Sequence, residues 1–188
     1  MATRDPEAKR QRLLQAALTE FAAYGIAGAR MERIAKLADC SAGLVYTYFG
    51  GKDELFEAVF EVIVDRTLTE YPITPDDLPG YAARLFDGHE LHPEVARLAT
   101  WYRLERADSG RLIPAIERAG RAKVDAIRAA QEAGTVSRRF DAAQTLALVL
   151  NIALMWSAQS PEAAKVTPED RAYRRDTVIE AVRRLVEP

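Results

Sequence analysis

Tyr46, Tyr48 and Phe49 sit on one short apolar stretch, Ser41 to Leu55, which reads SAGLVYTYFGGKDEL. A phenol hydroxyl is a good partner for a phosphate oxygen, and such contacts fix a protein's register on nucleic acid without reading sequence. The plainer alternative is that the tyrosines are ordinary half-buried aromatics. Other reactive groups are few. Cys40 precedes a helix start, where a thiolate is stabilised, but it reads more simply as a small apolar wedge. His89 and His92, with Glu90 and Glu94 nearby, have the ligand types for a metal site. In an expected loop they read as surface residues. There is no glycine-rich phosphate loop and no nucleophile–base spacing, so the sequence gives no support for an enzyme. No cofactor and no metal are expected.

The composition is that of a globular chain: 188 residues, 48% hydrophobic, with a formal net charge of −2. One cysteine rules out an intramolecular disulfide and fits a reducing, cytoplasmic setting. The N-terminus, MATRDPEAKRQR, lacks the apolar core of a signal peptide. The most hydrophobic run, 142–158, is interrupted by Gln144, Thr145, Asn151 and Ser157 and reads as a buried helix rather than a membrane span. The charge is uneven. Residues 1–52 hold eight Lys/Arg against five Asp/Glu, and residues 53–188 hold eighteen against twenty-three. A basic N-terminal piece on an acidic remainder suits two parts with different partners.

The elements that must position these residues are helical almost throughout. Asp5 caps a first helix with Pro6 at its first position, and Leu13, Leu14, Ala17, Leu18 and Phe21 recur at helical steps. Gly25 and Gly28 punctuate its end. A second helix is expected at about 31–38 and a third from Ser41 to Phe49; Gly50-Gly51 then break the chain, and a fourth helix, with Asp53 and Glu54 in its first turn, reaches about Thr69. The linker YPITPDDLPG follows. Five more helices are expected at about 78–87, 93–107, 112–133, 141–158 and 168–186. No run alternates with period two, so the expected fold is all-α with about nine helices.

The second and third helices read as a helix-turn-helix. Two steeply crossing helices need a small residue at closest approach, which Ala35 supplies. Ile34, Ala38, Cys40, Val45 and Phe49 can wedge the pair onto the first helix. Ser41 is a good N-cap for the second of them. The opposite face then carries Ala42, Gly43, Leu44, Tyr46 and Thr47, with Tyr48 at its edge. In such a motif the second helix enters the major groove and its N-terminal residues meet base edges.

The run RIAKLADCSAGLVYTYFGGKDELFEAV resembles the DNA-binding domain of TetR-family transcriptional repressors. The shared features are Ile34-Ala35, Ser41 opening a short helix, Tyr46-Thr47-Tyr48-Phe49, and Lys52. The resemblance implies that Tyr46, Tyr48 and Lys52 touch phosphates, and that Ala42, Gly43, Leu44 and Thr47 face bases. Leu44 and Ala42 suit thymine methyls, and Thr47 suits a base or phosphate hydrogen bond. No bidentate base reader is present, so Arg30 and Arg33 of the second helix are added to the expected contacts. The chain departs from the family pattern at three places. Ala29 and Arg30 stand where a capping threonine is usual, Asp39 where a turn glycine is usual, and Ala42 where a basic residue is usual. Aspartate tolerates the left-handed conformation the turn needs.

For the rest of the chain the resemblance implies a small effector bound between C-terminal helices. Phe60, Phe86, Trp101, Tyr102 and Trp156 offer aromatic walls, and Asn151 or Gln144 a polar handle, so an apolar or aromatic effector is expected. The apolar helix at 141–158 and the amphipathic last helix suit a four-helix dimer interface. A two-fold dimer predicts a palindromic double-stranded DNA operator. The expected organisation is a DNA-binding domain over 1–50 and an effector-binding and dimerisation domain over 51–188. Helix four would transmit the effector's presence to the spacing of the two heads. The competing possibility is a helical small-molecule-binding or interaction module with no sequence-specific DNA binding, which Ala29 and Ala42 favour.

Overall fold

The computed structural model describes residues 5–106, 110, 112–157 and 161–188. Over those residues the chain is all-α: ten α-helices and one short 3-10 turn, Pro75–Asp77, with no strand. It forms two compact units, Met1–Asp65 with Glu94–Ile116, and Arg66–Pro93 with Glu117–Pro188. None of the helices in the described residues is long and apolar enough to cross a membrane.

The first unit holds α1 (Pro6–Gly28), α2 (Met31–Leu37), α3 (Ala42–Phe49), most of α4 (Lys52–Glu70) and α6 (Pro93–Arg106). A division at residue 50 would leave its core open. Leu13, Ala17 and Phe21 of α1 close against Leu55, Phe56, Val59 and Phe60 of α4 and Leu98 of α6. Phe21 meets Phe56 edge-on at 5.1 Å between ring centroids, and Tyr102 stacks on Phe56 at 6.3 Å. Three helices of this length bury too little surface alone. The compact unit therefore extends to Asp65 and recruits α6.

The first helix breaks where Gly25 takes φ 70° and ψ −175°. The break frees main-chain groups on both sides, and α6 satisfies them. The Glu105 carboxylate accepts from Ile26 N–H at 3.0 Å and Ala27 N–H at 2.9 Å. The Trp101 indole N–H donates to the Ala22 carbonyl at 3.3 Å. A Cβ on Gly25 would run into the Glu105 carboxylate and the Trp101 ring. Arg106 of α6 also pairs with Asp53 in the first turn of α4.

The second unit holds α5 (Leu78–Leu91), α7 (Pro114–Glu132) from Glu117 onward, α8 (Ala142–Leu154), α9 (Pro161–Val166) and α10 (Arg171–Val186). Its core is Tyr81, Leu85 and Phe86 of α5 against Ile127, Val149, Val178 and Val182. Arg171 reaches Asp87 and Glu90, and Arg175 reaches Asp87 at 3.0 Å, which ties α10 to α5. Gln131, buried, donates to the carbonyls of Ser137 and Phe140 and so holds the α7–α8 loop. Asp141 and Gln144 form a capping box that starts α8.

Several expected boundaries move. The last helix starts at Arg171, because Asp170 accepts from the N–H groups of Ala172 and Tyr173 while Pro168 lies before that cap. α9 precedes it as a separate short helix. α5 runs on to Leu91 and takes in His89. His89 is therefore helical and half-buried, with Nδ1 3.5 Å from the Ala153 carbonyl, instead of a loop residue. Burial holds its pKa below the usual value. Residues 107 and 158 of the expected helices lie outside the described residues.

A side chain at Gly25 meets both a strained dihedral and an occupied space. Gly25→Ala should lower unfolding stability by about 2 kcal/mol or more, read by urea denaturation. Gly120→Ala, inside α7 where nothing lies within 4 Å, should be neutral or stabilising by up to about 1 kcal/mol.

Candidate nucleic-acid interface

The turn between α2 and α3 is built by a residue that is not glycine. Asp39 has φ 52°, and among the described residues no other non-glycine has a positive φ. Cys40 N–H donates to the Ala35 carbonyl at 2.9 Å and Asp39 N–H to that of Lys36 at 3.3 Å. This pair of bonds is the Schellman ending of a helix, with Asp39 in the position glycine usually takes. The chain then enters α3 through Ser41, extended at φ −82° and ψ 149°. Ser41 occupies the N-cap position without a side-chain cap, and its carbonyl takes the Leu44 N–H at 3.0 Å.

The wedge lies inside as the spacing predicts. Ile34, Ala35, Ala38 and Val45 are buried, and Cys40, Phe49 and Ala42 pack against the same core. The Arg10 guanidinium lies 5.7 Å from the Phe49 ring centroid, over its face. With the wedge fixed, the rest of α3 faces outward. Ser41, Gly43, Tyr46 and Thr47 are exposed, while Ala42, Leu44 and Tyr48 are half-buried. Tyr46 is 48% exposed.

Each candidate contact has a different degree of freedom. The Tyr46 phenol is open to solvent. The Thr47 hydroxyl donates to the Gly43 carbonyl at 2.9 Å, which leaves its methyl and its lone pairs outward. Thr47 therefore presents an acceptor, not a donor. The Tyr48 hydroxyl points back to the Pro6 carbonyl at 3.4 Å and sits at the seam with α1. Lys52 Nζ donates to the carbonyls of Ala27 at 3.3 Å and Ala29 at 3.2 Å. An ammonium has three N–H groups, so one remains for an outside acceptor. Arg30 is exposed and its main-chain N–H donates to Glu20 at 3.0 Å.

Arg33 is the clear exception. Its guanidinium bonds the Glu20 carboxylate at 2.6 Å and the Gly28 carbonyl at 2.8 Å, and lies over the Tyr24 ring at 4.1 Å. Glu20 is only 2% exposed, and its hydrogen bond raises the Arg33 pKa above the ordinary value. A buried carboxylate needs a cation, so Arg33 neutralises Glu20 and does not stand free for DNA. Glu20 could have been suspected from sequence. It falls on the apolar stripe of α1 with Leu13, Ala17 and Phe21, at a position where an acid needs a partner.

The expected effector residues are distributed differently from one lining. Phe60 and Tyr102 touch, at 5.2 Å between centroids, inside the first unit with Trp101. Phe86, Asn151 and Trp156 belong to the second unit. The polar handles are taken by the main chain. Trp101 donates to Ala22, Trp156 to the Arg174 carbonyl at 3.3 Å, and Asn151 to the Ala147 carbonyl at 2.8 Å. Gln144 belongs to the α8 cap. Each of these N–H groups meets a main-chain carbonyl, a partner that residue type alone does not reveal. Among the described residues no group of three or more His, Cys, Asp and Glu is placed to hold a metal.

Comparison with known proteins agrees with this geometry over the whole length. Residues 13–59 match the family of bacterial regulatory proteins, tetR family, and residues 77–184 match the tetracyclin repressor-like C-terminal domain. An HTH-type transcriptional repressor of Streptomyces coelicolor, SCO4008, is 37% identical over 193 residues, covering 100% of each chain. A crystal structure of a transcriptional regulator from Streptomyces coelicolor, SCO4942, superposes with TM-score 0.83 at 37% identity, over 95% of this chain and 98% of that one. FadR of Bacillus subtilis, solved in complex with stearoyl-CoA, shares the fold at TM-score 0.69 and 14% identity, over 92% of this chain and 97% of that one. An outward α3 on a buried wedge, matched along both units, identifies the chain as a member of the TetR family of DNA-binding helix-turn-helix transcriptional regulators.

Proposed function

We propose that the protein is a homodimeric, cytoplasmic repressor that holds a palindromic operator and releases it when a small apolar or aromatic effector enters the second unit. The observation that carries this is the orientation of α3. Val45 is buried, while Gly43, Tyr46 and Thr47 face out. Tyr46 and the third N–H of Lys52 are the best phosphate contacts. Gly43, Ala42, Leu44 and the Thr47 methyl form a small, mostly apolar surface for base edges. With no bidentate reader there, sequence preference rests on thymine methyls, water and DNA shape.

The dimer is supported by α8. Ala142, Leu146, Val149 and Ala153 face its own core, and the opposite stripe of Ala143, Ala147, Leu148 and Asn151 is exposed. An apolar helix with one uncovered face suits a second copy of itself. Release requires an effector that binds the two arrangements of the dimer unequally. The stearoyl-CoA complex of the FadR relative supports a ligand role for this fold. The rival module without DNA binding draws on Ala29 and Ala42, where the family pattern is weakened.

DNA from the protein's own upstream region, titrated at several salt concentrations, separates the two. The repressor binds a palindrome there with an affinity that falls steeply with salt. Binding no tighter than to unrelated DNA sinks the proposal. Tyr46→Phe should weaken operator binding by about tenfold with stability unchanged, as one hydrogen bond to a charged acceptor is lost. Lys52→Ala should lower the salt slope by about 1. Arg33→Leu should leave that slope unchanged and lower the urea midpoint of unfolding, because it leaves Glu20 buried without its cation.

A further inference from the structure

A cation with no matching charge stands at the last turn of α3. Arg10 of α1 is half-buried, and its guanidinium carbon lies over the Phe49 ring, 5.7 Å from the centroid. Phe49 is the last residue of α3 and packs on the core of the first unit, so the cation rests on a fixed wall. Among the described residues the Arg10 guanidinium has no hydrogen bond and no ion pair. The acids nearest in sequence are engaged elsewhere. Asp5 accepts from the Glu7 N–H at 3.0 Å, and Glu7 accepts from the Gln11 side chain at 2.8 Å. A contact with a ring face uses none of the five guanidinium donors, so all remain for an outside acceptor.

Two contacts fix where this cation sits. The Tyr48 hydroxyl donates to the carbonyl of Pro6, four residues before Arg10, and the Tyr48 ring lies 6.2 Å from that of Phe49. The start of α1 is thereby seamed to the last turn of α3, which carries the exposed Tyr46 and Thr47. Lys52 is held at the opposite end of α1, on the carbonyls of Ala27 and Ala29. At the helical rise, Arg10 and Ala27 are about 25 Å apart along α1.

We propose that Arg10 is a further DNA-contact residue, which binds a backbone phosphate beside the last turn of α3. The proposal rests on the operator binding described above and adds a contact to those of Tyr46 and Lys52. A phosphate accepts two N–H bonds from one guanidinium and supplies the negative charge that Arg10 lacks in the free protein. A base edge supplies no charge, and base edges are met by the N-terminal residues of such a helix, not by its last turn. The contact therefore adds affinity and register and no sequence preference.

The test uses the full chain and two duplexes of equal length, one from the protein's own upstream region and one of unrelated sequence. Each is titrated by fluorescence anisotropy at several salt concentrations. Arg10→Met keeps an alkyl stem on Phe49 and removes the charge. It should lower the salt slope by about 1 on both duplexes and weaken both by a similar factor, up to about tenfold. Its urea midpoint should stay close to wild type. Arg10→Lys should keep the slope and lose part of the affinity. Arg12→Met removes the same unit of charge two residues on, from the groove that Arg12 lines with Leu37 and Asp39. It should leave the slope unchanged. An unchanged slope in Arg10→Met overturns the contact, and so does an equal fall in Arg12→Met, which would be an effect of net charge alone. A loss confined to the upstream duplex overturns the phosphate contact and makes Arg10 a base reader. Wild-type protein that binds neither duplex sinks operator binding and this contact together. Wild-type binding that Arg10→Met leaves intact sinks the contact and keeps the operator.

Discussion

The first unit depends on satisfying the main chain where α1 breaks. A helix interrupted at Gly25 exposes carbonyls on one side and N–H groups on the other, and such groups cannot be left unpaired near a core. Here the partners come from three other helices. Trp101 and Glu105 of α6 take Ala22, Ile26 and Ala27. Lys52 of α4 takes Ala27 and Ala29, and Arg33 of α2 takes Gly28. The bend that sends the chain into α2 is thus the point on which α4, α6 and α2 converge. The placement of α3 follows, because α2 carries the turn and the wedge.

This convergence explains why α6 belongs to the first unit by its contacts although it lies far along the chain. An element that caps α1 and pairs with the start of α4 is part of the head's structure. In a regulator of this family, α6 therefore has a direct hold on the segment just before the helix-turn-helix. Helix four, with Asp53 and Lys52 at its start, is bound into the same junction.

Much of the head was legible in the sequence, and for physical reasons. The wedge of Ile34, Ala35, Ala38 and Val45 is a local spacing pattern, and spacing survives folding. Asp39 in the turn was legible because few residue types accept a positive φ. The roles of Arg33, Trp101 and Glu105 were not, because each depends on a partner distant in sequence or on a main-chain group with no residue-type signature. The same holds for Trp156 and Asn151, whose N–H groups meet carbonyls that any residue could have supplied. The His89 environment was missed through a boundary error, since α5 continues past the expected end at residue 87 and buries the imidazole.

The lysine at the start of α4 has one further consequence. A free lysine side chain samples many rotamers, and fixing it on arrival of a partner costs up to about 2 kcal/mol of entropy. Lys52 is already held by two carbonyls at the end of α1. Most of its loss of freedom has occurred on folding, before any duplex approaches. In the proposed DNA contact, a phosphate at its remaining N–H would meet a preorganised charge.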